Sequence, residues 1–365
     1  MPLLNPPTTP HILEGPRPWP FSQAELTAGL RGHTGDPTLY ITRMEPCDIP
    51  DKRPALGRIR GLRVSCQTFN GEKTFQIVIK EPQGTTRAGM AGAGRRELLF
   101  YRTLAVQLPV RVPQLLAAHP DGDWLVLSML TDGVIPERWT ADDYLIATQQ
   151  LAVIHDRFWG LGEDLSAFAW LSRPLNGDFP IYLRATYAGI RRLVEKVTSN
   201  LITSNTELLK MLRRLVDNAD YIANSLRNNP ATLLHGDYWP GNVHLFADRT
   251  ISVFDWQQAA IGPGILDLFQ FVQASRWFFG ELPLGTEQIV TYYRTSLKKS
   301  CGHTWDDDEW NLQWDYALLW TFLCTWVDML ANIPASVLQA RYAQMRQLWL
   351  DPVKAAMARC LPAEE

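Results

Sequence analysis

The chain is 365 residues long, 46% hydrophobic and carries a formal net charge of −3, enough length for two lobes with real cores and no general basic field for nucleic acid. Its five cysteines, Cys47, Cys66, Cys301, Cys324 and Cys360, are scattered without a C-x-x-C pair, which excludes a zinc or disulfide framework and fits the reduced thiols of a cytoplasmic protein. The most hydrophobic uncharged run, 316–327, lies between Asp315 and Asp328 and is too short to span a bilayer, and residues 1–20 have no signal-peptide core, so no membrane partner is expected.

Taken in order, residues 1–20 contain seven prolines and should be extended. A short helix over 21–32 opens at Ser22, with Glu25 completing a capping box. A β-rich stretch follows, with strands over 38–44, 58–69 and 74–80, the last two joined by the turn signal Asn70-Gly71. In the third strand Phe75, Ile77 and Ile79 share one face by the period of two, which turns Lys80 to the other face with Val78 and Gln76, where it can reach into a cleft. A helix starting near Arg95 carries Glu97. Between Lys80 and Glu97, Gly89, Gly92 and Gly94 form G-x-x-G-x-G without a following G-K-[ST], so this is a mobile connector and not a Walker loop. Residues 124–130, WLVLSML, read as a buried strand.

The remainder is mainly helical. Thr140 with Asp143 caps a helix running to about residue 158, with Leu145, Leu151, Ile154 and Phe158 on its apolar face. Ser204 with Glu207 opens one long helix whose stripe extends from Leu208 to Leu226 and ends at Asn228-Asn229-Pro230. After residue 267, helices are expected over 268–279, 286–298, 306–332 and 336–358.

The informative stretch is 233–257, LLHGDYWPGNVHLFADRTISVFDWQ. Residues 243–246 and 250–254 read as two strands joined by Ala247-Asp248-Arg249. Folding that hairpin brings Asp255, at its end, near Asn242, at its start, with Asp237 in the loop just upstream. Two carboxylates and an amide oxygen then converge, a donor set suited to Mg²⁺ that completes its shell with phosphates and water. A carboxylate without a metal duty can accept a hydroxyl proton.

His235-Gly236-Asp237, Asn242 and Asp255-Trp256 together resemble the active-site signature of the aminoglycoside phosphotransferase/choline kinase superfamily, a branch of the protein-kinase-like fold. Gly262-Pro263 and Asp267 are similar to that family's downstream turn and D-L pair, whose Asp braces the catalytic loop. The resemblance covers about 39–272. It implies an α+β, bilobal protein-kinase-like fold, with a small β-rich lobe containing one long helix and a large mainly helical lobe. It further implies Asp237 as catalytic base, Asn242 and Asp255 as Mg²⁺ ligands, Lys80 on the nucleotide phosphates and Glu97 as its ion-pair partner. Glu72 and Glu81 compete with Glu97, but one lies at a turn and the other adjoins Pro82. Adenine is expected on backbone groups near Ser128 and Leu130, and His155 and His235 as structural residues. One departure is the loop 47–57, which has a single glycine where the family covers the phosphates. Lys52, Arg53 or Arg58 could supply charge there.

The expected organisation is a proline-rich extension over 1–37, a nucleotide-binding lobe over 38–130 and a catalytic and substrate-binding lobe over 131–365. The expected activity is transfer of phosphate from ATP, with GTP left open as donor, to the hydroxyl of a small molecule. Trp305, Trp310, Trp314, Tyr316, Trp320 and Trp326, interleaved with Asp306, Asp307, Asp308, Glu309, Asp315 and Asp328, suit an ammonium-bearing acceptor by cation–π contact and charge pairing, with a neutral polyol or sugar left open. Tyr238 and Trp239 flank the base and are expected to shape the acceptor pocket. The alternative of another class is a catalytically silent nucleotide-binding module acting through protein partners, whose mark would be loss of Lys80, Asp237, Asn242 or Asp255. A protein kinase is disfavoured by the His-Gly-Asp form and the missing A-P-E motif.

Overall fold

The computed structural model describes residues 18–50, 57–82, 90–196 and 205–362. Helix α1 (Gln23–Thr34) opens on the expected capping box, in which the Ser22 side chain accepts from Glu25 N while Glu25 returns to Ser22 N. A five-stranded antiparallel sheet follows, formed by β1 (Tyr40–Cys47), β2 (Arg58–Thr68), β3 (Gly71–Glu81), β4 (Leu115–Ala118) and β5 (Leu125–Ser128) in the order β1-β2-β3-β5-β4. β1 starts later than expected because Asp36 accepts from Thr38 N at 2.8 Å, a local turn that competes with strand pairing. Helix α2 (Ala93–Thr103) lies between β3 and β4 in the chain.

Alternation along β3 sorts its residues as the period of two requires. Ile77 and Ile79 are fully buried with Leu62, Val64, Leu116 and Val126, and α1 lays Leu26 and Leu30 onto the same core. The apolar stripe of α1 thereby closes one face of the sheet. The other side differs. α2 contributes Leu98, Phe100, Tyr101 and Leu104, and β5 contributes Leu125 and Leu127, to the core that fills the large helical part.

That part begins with β6 (Gly133–Val134) and α3 (Ala141–Arg157), the latter capped by Thr140 and Asp143 as expected. It continues through α4 (Gly162–Ser166), α5 (Phe179–Lys196), α6 (Asn205–Asp217) and α7 (Ala219–Arg227). The single helix expected to Leu226 is two, because Asn218 turns its side-chain amide onto Arg214 O at 2.9 Å and leaves helical geometry. The cap expected at Ser204 lies outside the described residues, as do 1–17, Lys52, Arg53 and Gly89. Strands β7 (Ala231–Leu234), β8 (Val243–Phe246), β9 (Ile251–Val253) and β10 (Ala260–Pro263) make two small antiparallel sheets, β7 with β10 and β6-β8-β9.

Helices α8 (Ile265–Phe279), α9 (Thr286–Cys301) and α10 (Asp307–Thr321) complete the lobe, followed by a widened π turn at Phe322–Trp326 and α11 (Val327–Asn332). The helix expected over 336–358 is broken: it ends at Arg341, resumes, passes through a second π turn at Arg346–Leu350 and finishes as Asp351–Cys360. Among the described residues no helix is long and apolar enough to cross a membrane.

Candidate active site

The β8–β9 hairpin does what its sequence requires. Val243 pairs with Val253, and one step beyond the ladder Phe254 N donates to Asn242 O at 3.1 Å. The next residue, Asp255, is therefore held beside Asn242. It sits in the left-handed region at φ 66°, which turns its carboxylate out of the strand and into the cleft. Pairing of β7 with β10 brings 235–237 against 256–259 from the other side. Gly236 occupies φ 80°, and a Cβ there would lie 2.2 Å from Gln258 O, so the loop reaches Asp237 by a path open to glycine alone.

Asp267, in the first turn of α8 and almost fully buried, accepts from His235 N at 2.6 Å and Gly236 N at 2.9 Å. His155 closes the far side, with Nε2 at 3.4 Å from Asp267 Oδ2 and Nδ1 at 2.7 Å from the Tyr293 hydroxyl. His235 accepts Asp237 N at Nδ1 (3.2 Å), so its proton sits on Nε2 and is donated to Phe254 O at 2.9 Å. Both imidazoles are buried, with His235 bonded to backbone groups and His155 to the side chains of Asp267 and Tyr293.

The Asp237 carboxylate is pinned from two sides. Asn242 Nδ2 donates to Asp237 O at 2.8 Å and to Oδ2 at 3.0 Å, and Gln270 Nε2 lies 3.4 Å from Oδ1. Spending its NH₂ on Asp237 leaves Asn242 its carbonyl oxygen to offer. On the opposite wall Lys80 Nζ stands 2.6 Å from Glu97 Oε2 and 2.5 Å from Asp255 Oδ1. Burial alone would pull the lysine pKa down, but Asp255 and Glu97 outweigh it and raise it above its ordinary value. Burial pushes Glu97 the other way, up from the usual carboxylate range, against the pull of Lys80.

Two contacts missed by sequence reasoning dock α2 on this loop. Phe100 stacks on Trp256 with centroids 4.0 Å apart and 10° between planes, and Trp256 is completely buried. Arg96, also buried, donates to Gln257 O (2.7 Å), Ala91 O (3.2 Å) and Trp170 O (3.3 Å). Gln270 did leave a signal, since it follows Asp267 by three residues on one helix face. Arg96 left none, being one arginine of a pair on a helix.

Lys80, Glu97, Asp237, Asn242, Asp255 and Gln270 border one cavity of about 480 Å³, which also touches residues 127–130 of the segment between the lobes. The amides of Ser128 and Met129 are committed to Gln114 O and Gln76 O, both near 3 Å, so of the expected pair Leu130 is the residue whose amide stays clear of the sheet. Arg58 does not reach the phosphate side; it faces Glu81 at 3.7 Å.

The aromatic and acidic segment is mostly elsewhere. Asp306 caps α10, Asp307 pairs with Arg294, Asp315 with Arg359 and Asp328 with Arg192, all at 2.6–2.8 Å. Trp305, Trp310 and Trp314 pack on one another and Trp320 stacks on Phe179, so they build the lobe's core. From that segment Trp326 reaches the cavity. Trp239 lines it too, whereas Tyr238 turns inward, fully buried with its hydroxyl on Ala147 O.

Asn242 and Asp255 offer two oxygens on one wall, a donor set that fits Mg²⁺ sharing its shell with phosphate oxygens. Among the described residues no cluster of three or more His, Cys, Asp or Glu forms a closed metal cage.

Among solved structures, the chain is similar to the gentamicin complex of APH(2")-IIa, at 16% identity over 89% of this chain and 92% of that one, with a TM-score of 0.49. It is similar to the macrolide 2'-phosphotransferase MphH from Brachybacterium faecium at 17% identity, over 94% and 99%, with a TM-score of 0.45. A choline/ethanolamine kinase family protein from Mesorhizobium loti aligns at 14% identity over 80% and 84%, with a TM-score of 0.43. No curated protein matches the chain. The sequence model described as Phosphotransferase enzyme family matches residues 85–306, more than half of the length, and the chain belongs to that family.

Proposed function

We propose that the protein transfers the γ-phosphoryl group of ATP to the hydroxyl of a small molecule, with Asp237 as general base. What supports this reading is one cavity bordered jointly by Lys80 and Glu97 from one chain segment and by Asp237, Asn242 and Asp255 from another, 140 residues further on. The adenine would lie against the main chain at Leu130, and Lys80, held by Glu97, would grip the phosphates. Asn242 and Asp255 would hold Mg²⁺, which supplies charge neutralisation on the phosphates when bound. Asp237, oriented by Asn242 and Gln270, takes the proton of the attacking hydroxyl. The new O–P bond forms as the bond from the γ-phosphorus to the bridging oxygen breaks, and ADP leaves with that electron pair.

The residues divide the work, and so do the variants that test it. Asp237→Ala should abolish turnover while an ATP analogue still binds; parallel loss of affinity and rate would remove Asp237 from the role of base. Asp255→Ala should weaken Mg²⁺-dependent ATP binding, and an unaltered magnesium titration would refute its assignment.

A further inference from the structure

Beyond the catalytic groups, the cavity has a wall of its own. Trp239 and Phe278 lie against each other with centroids 4.6 Å apart and planes 32° from parallel, two residues past Asp237 and one turn beyond Ala274. Gly241 makes room for this: a Cβ there would sit 2.3 Å from the Trp239 ring. Phe278 is 42% exposed, a large apolar side chain left open to solvent at the mouth. The facing side is supplied by Thr325, Trp326 and Met329, where the π turn widens the helix. Among the described residues the charged side chains bordering the cavity are Lys80, Glu97, Asp237 and Asp255, all already assigned to the reaction.

We infer that the acceptor is an uncharged, largely apolar alcohol that lies on the Trp239–Phe278 shelf against Trp326 and Met329, an inference that rests on the phosphotransferase reading above. A polycation would need carboxylates of its own, and in the 306–328 segment Asp307, Asp315 and Asp328 are held in ion pairs, Asp306 caps α10, and none of the segment's acids is among the described residues that border the cavity. A quaternary ammonium would need rings surrounding a gap; Trp239 and Phe278 lie on each other and leave no gap between them. The polar complement of the wall is neutral as well. Trp326 and Gln270 both border the cavity and are neutral, and among the described residues Trp326 Nε1 and Gln270 Oε1 are buried without a hydrogen-bond partner. The transfer is unchanged: the alcohol loses its proton to Asp237, gains the phosphoryl group, and ADP departs.

The experiment measures ADP release with Mg²⁺ and ATP across hydroxyl compounds divided by charge. Neutral aromatic, terpenoid and macrolactone alcohols stand against choline, kanamycin and streptomycin, with binding of a fluorescent ATP analogue followed in parallel. Stimulation confined to neutral members, with nucleotide bound, supports the inference. Stimulation by choline or an aminoglycoside at lower concentration, or by no neutral member while nucleotide binds, overturns the acceptor class and leaves the phosphotransferase reading intact. Failure of nucleotide to bind strikes that reading and the acceptor class with it. On the stimulating alcohol, Phe278→Ala should raise the acceptor KM about tenfold, the loss of one aromatic contact of roughly 1.4 kcal/mol, with kcat little altered. An unchanged KM removes the shelf.

Discussion

Replacing Asp267 tests whether the 235–237 loop is held as the geometry says. Its two oxygens satisfy His235 N at 2.6 Å and Gly236 N at 2.9 Å, and the residue is almost completely buried. Asp267→Ala leaves both N–H groups unpaired inside the protein, at about 1–3 kcal/mol each, so the loss should be roughly 4 kcal/mol. Asp267→Asn keeps one acceptor oxygen and sets an NH₂ against the remaining N–H, so it should cost about half, roughly 2 kcal/mol. Equilibrium urea unfolding measures both, provided the slope with denaturant is the same in all three proteins. An asparagine variant as unstable as the alanine one, or either within about 0.5 kcal/mol of wild type, would show that the loop is held by something else.

Lys80→Met should weaken binding of Mg²⁺·ATP about ten- to a hundredfold, the loss of one charge-assisted contact, as read by titration with a fluorescent analogue; undiminished affinity would exclude Lys80 from the phosphates. Because Asp255 and Glu97 raise the Lys80 pKa above 10.5, its charge and the stability it brings are complete below that value. They are lost only as pH climbs through the higher folded value, so unfolding monitored across the neutral range should show no lysine step. Arg96→Ala strips donors from three backbone carbonyls and should cost about 3 kcal/mol; Arg96→Lys should not restore it, since an ammonium lacks the planar fork. Burial pushes the Cys66 thiol up to about 11 and, with Asp315 nearby, Cys360 up to about 12, and raises Cys324 further. At neutral pH a thiol reagent should reach only the half-buried Cys47 and Cys301 quickly, with all five reacting in denaturant. Fast labelling of three or more in the native state would contradict that burial.

Much of the centre could be read directly from residues because its constraints are local. The hairpin's two strands and three-residue turn dictate that Asn242 and Asp255 meet, and the period of two in β3 dictates that Lys80 faces away from Ile77 and Ile79. Capping boxes at Ser22 and Thr140 set helix starts for the same reason. What escaped was non-local. Nothing in the run of acids from Asp306 to Asp328 says that arginines from α5, α9 and the final helix will claim Asp328, Asp307 and Asp315. Nothing in the tryptophan spacing separates Trp326, turned to the cavity by a π turn, from Trp320, packed on Phe179. Asn218 could have warned of a break, but its effect depends on whether the amide folds back on its own helix.

The partition of the apolar interior carries a mechanical consequence. The sheet and α1 close one core, while α2 is welded by Phe100 and Arg96 into the other, together with Trp256. Lys80 therefore rides on one body and Glu97 on its neighbour, and their 2.6 Å contact is a gauge of how the two are seated. Any change that loosens the sheet alone would carry the ammonium away from a carboxylate that stays put.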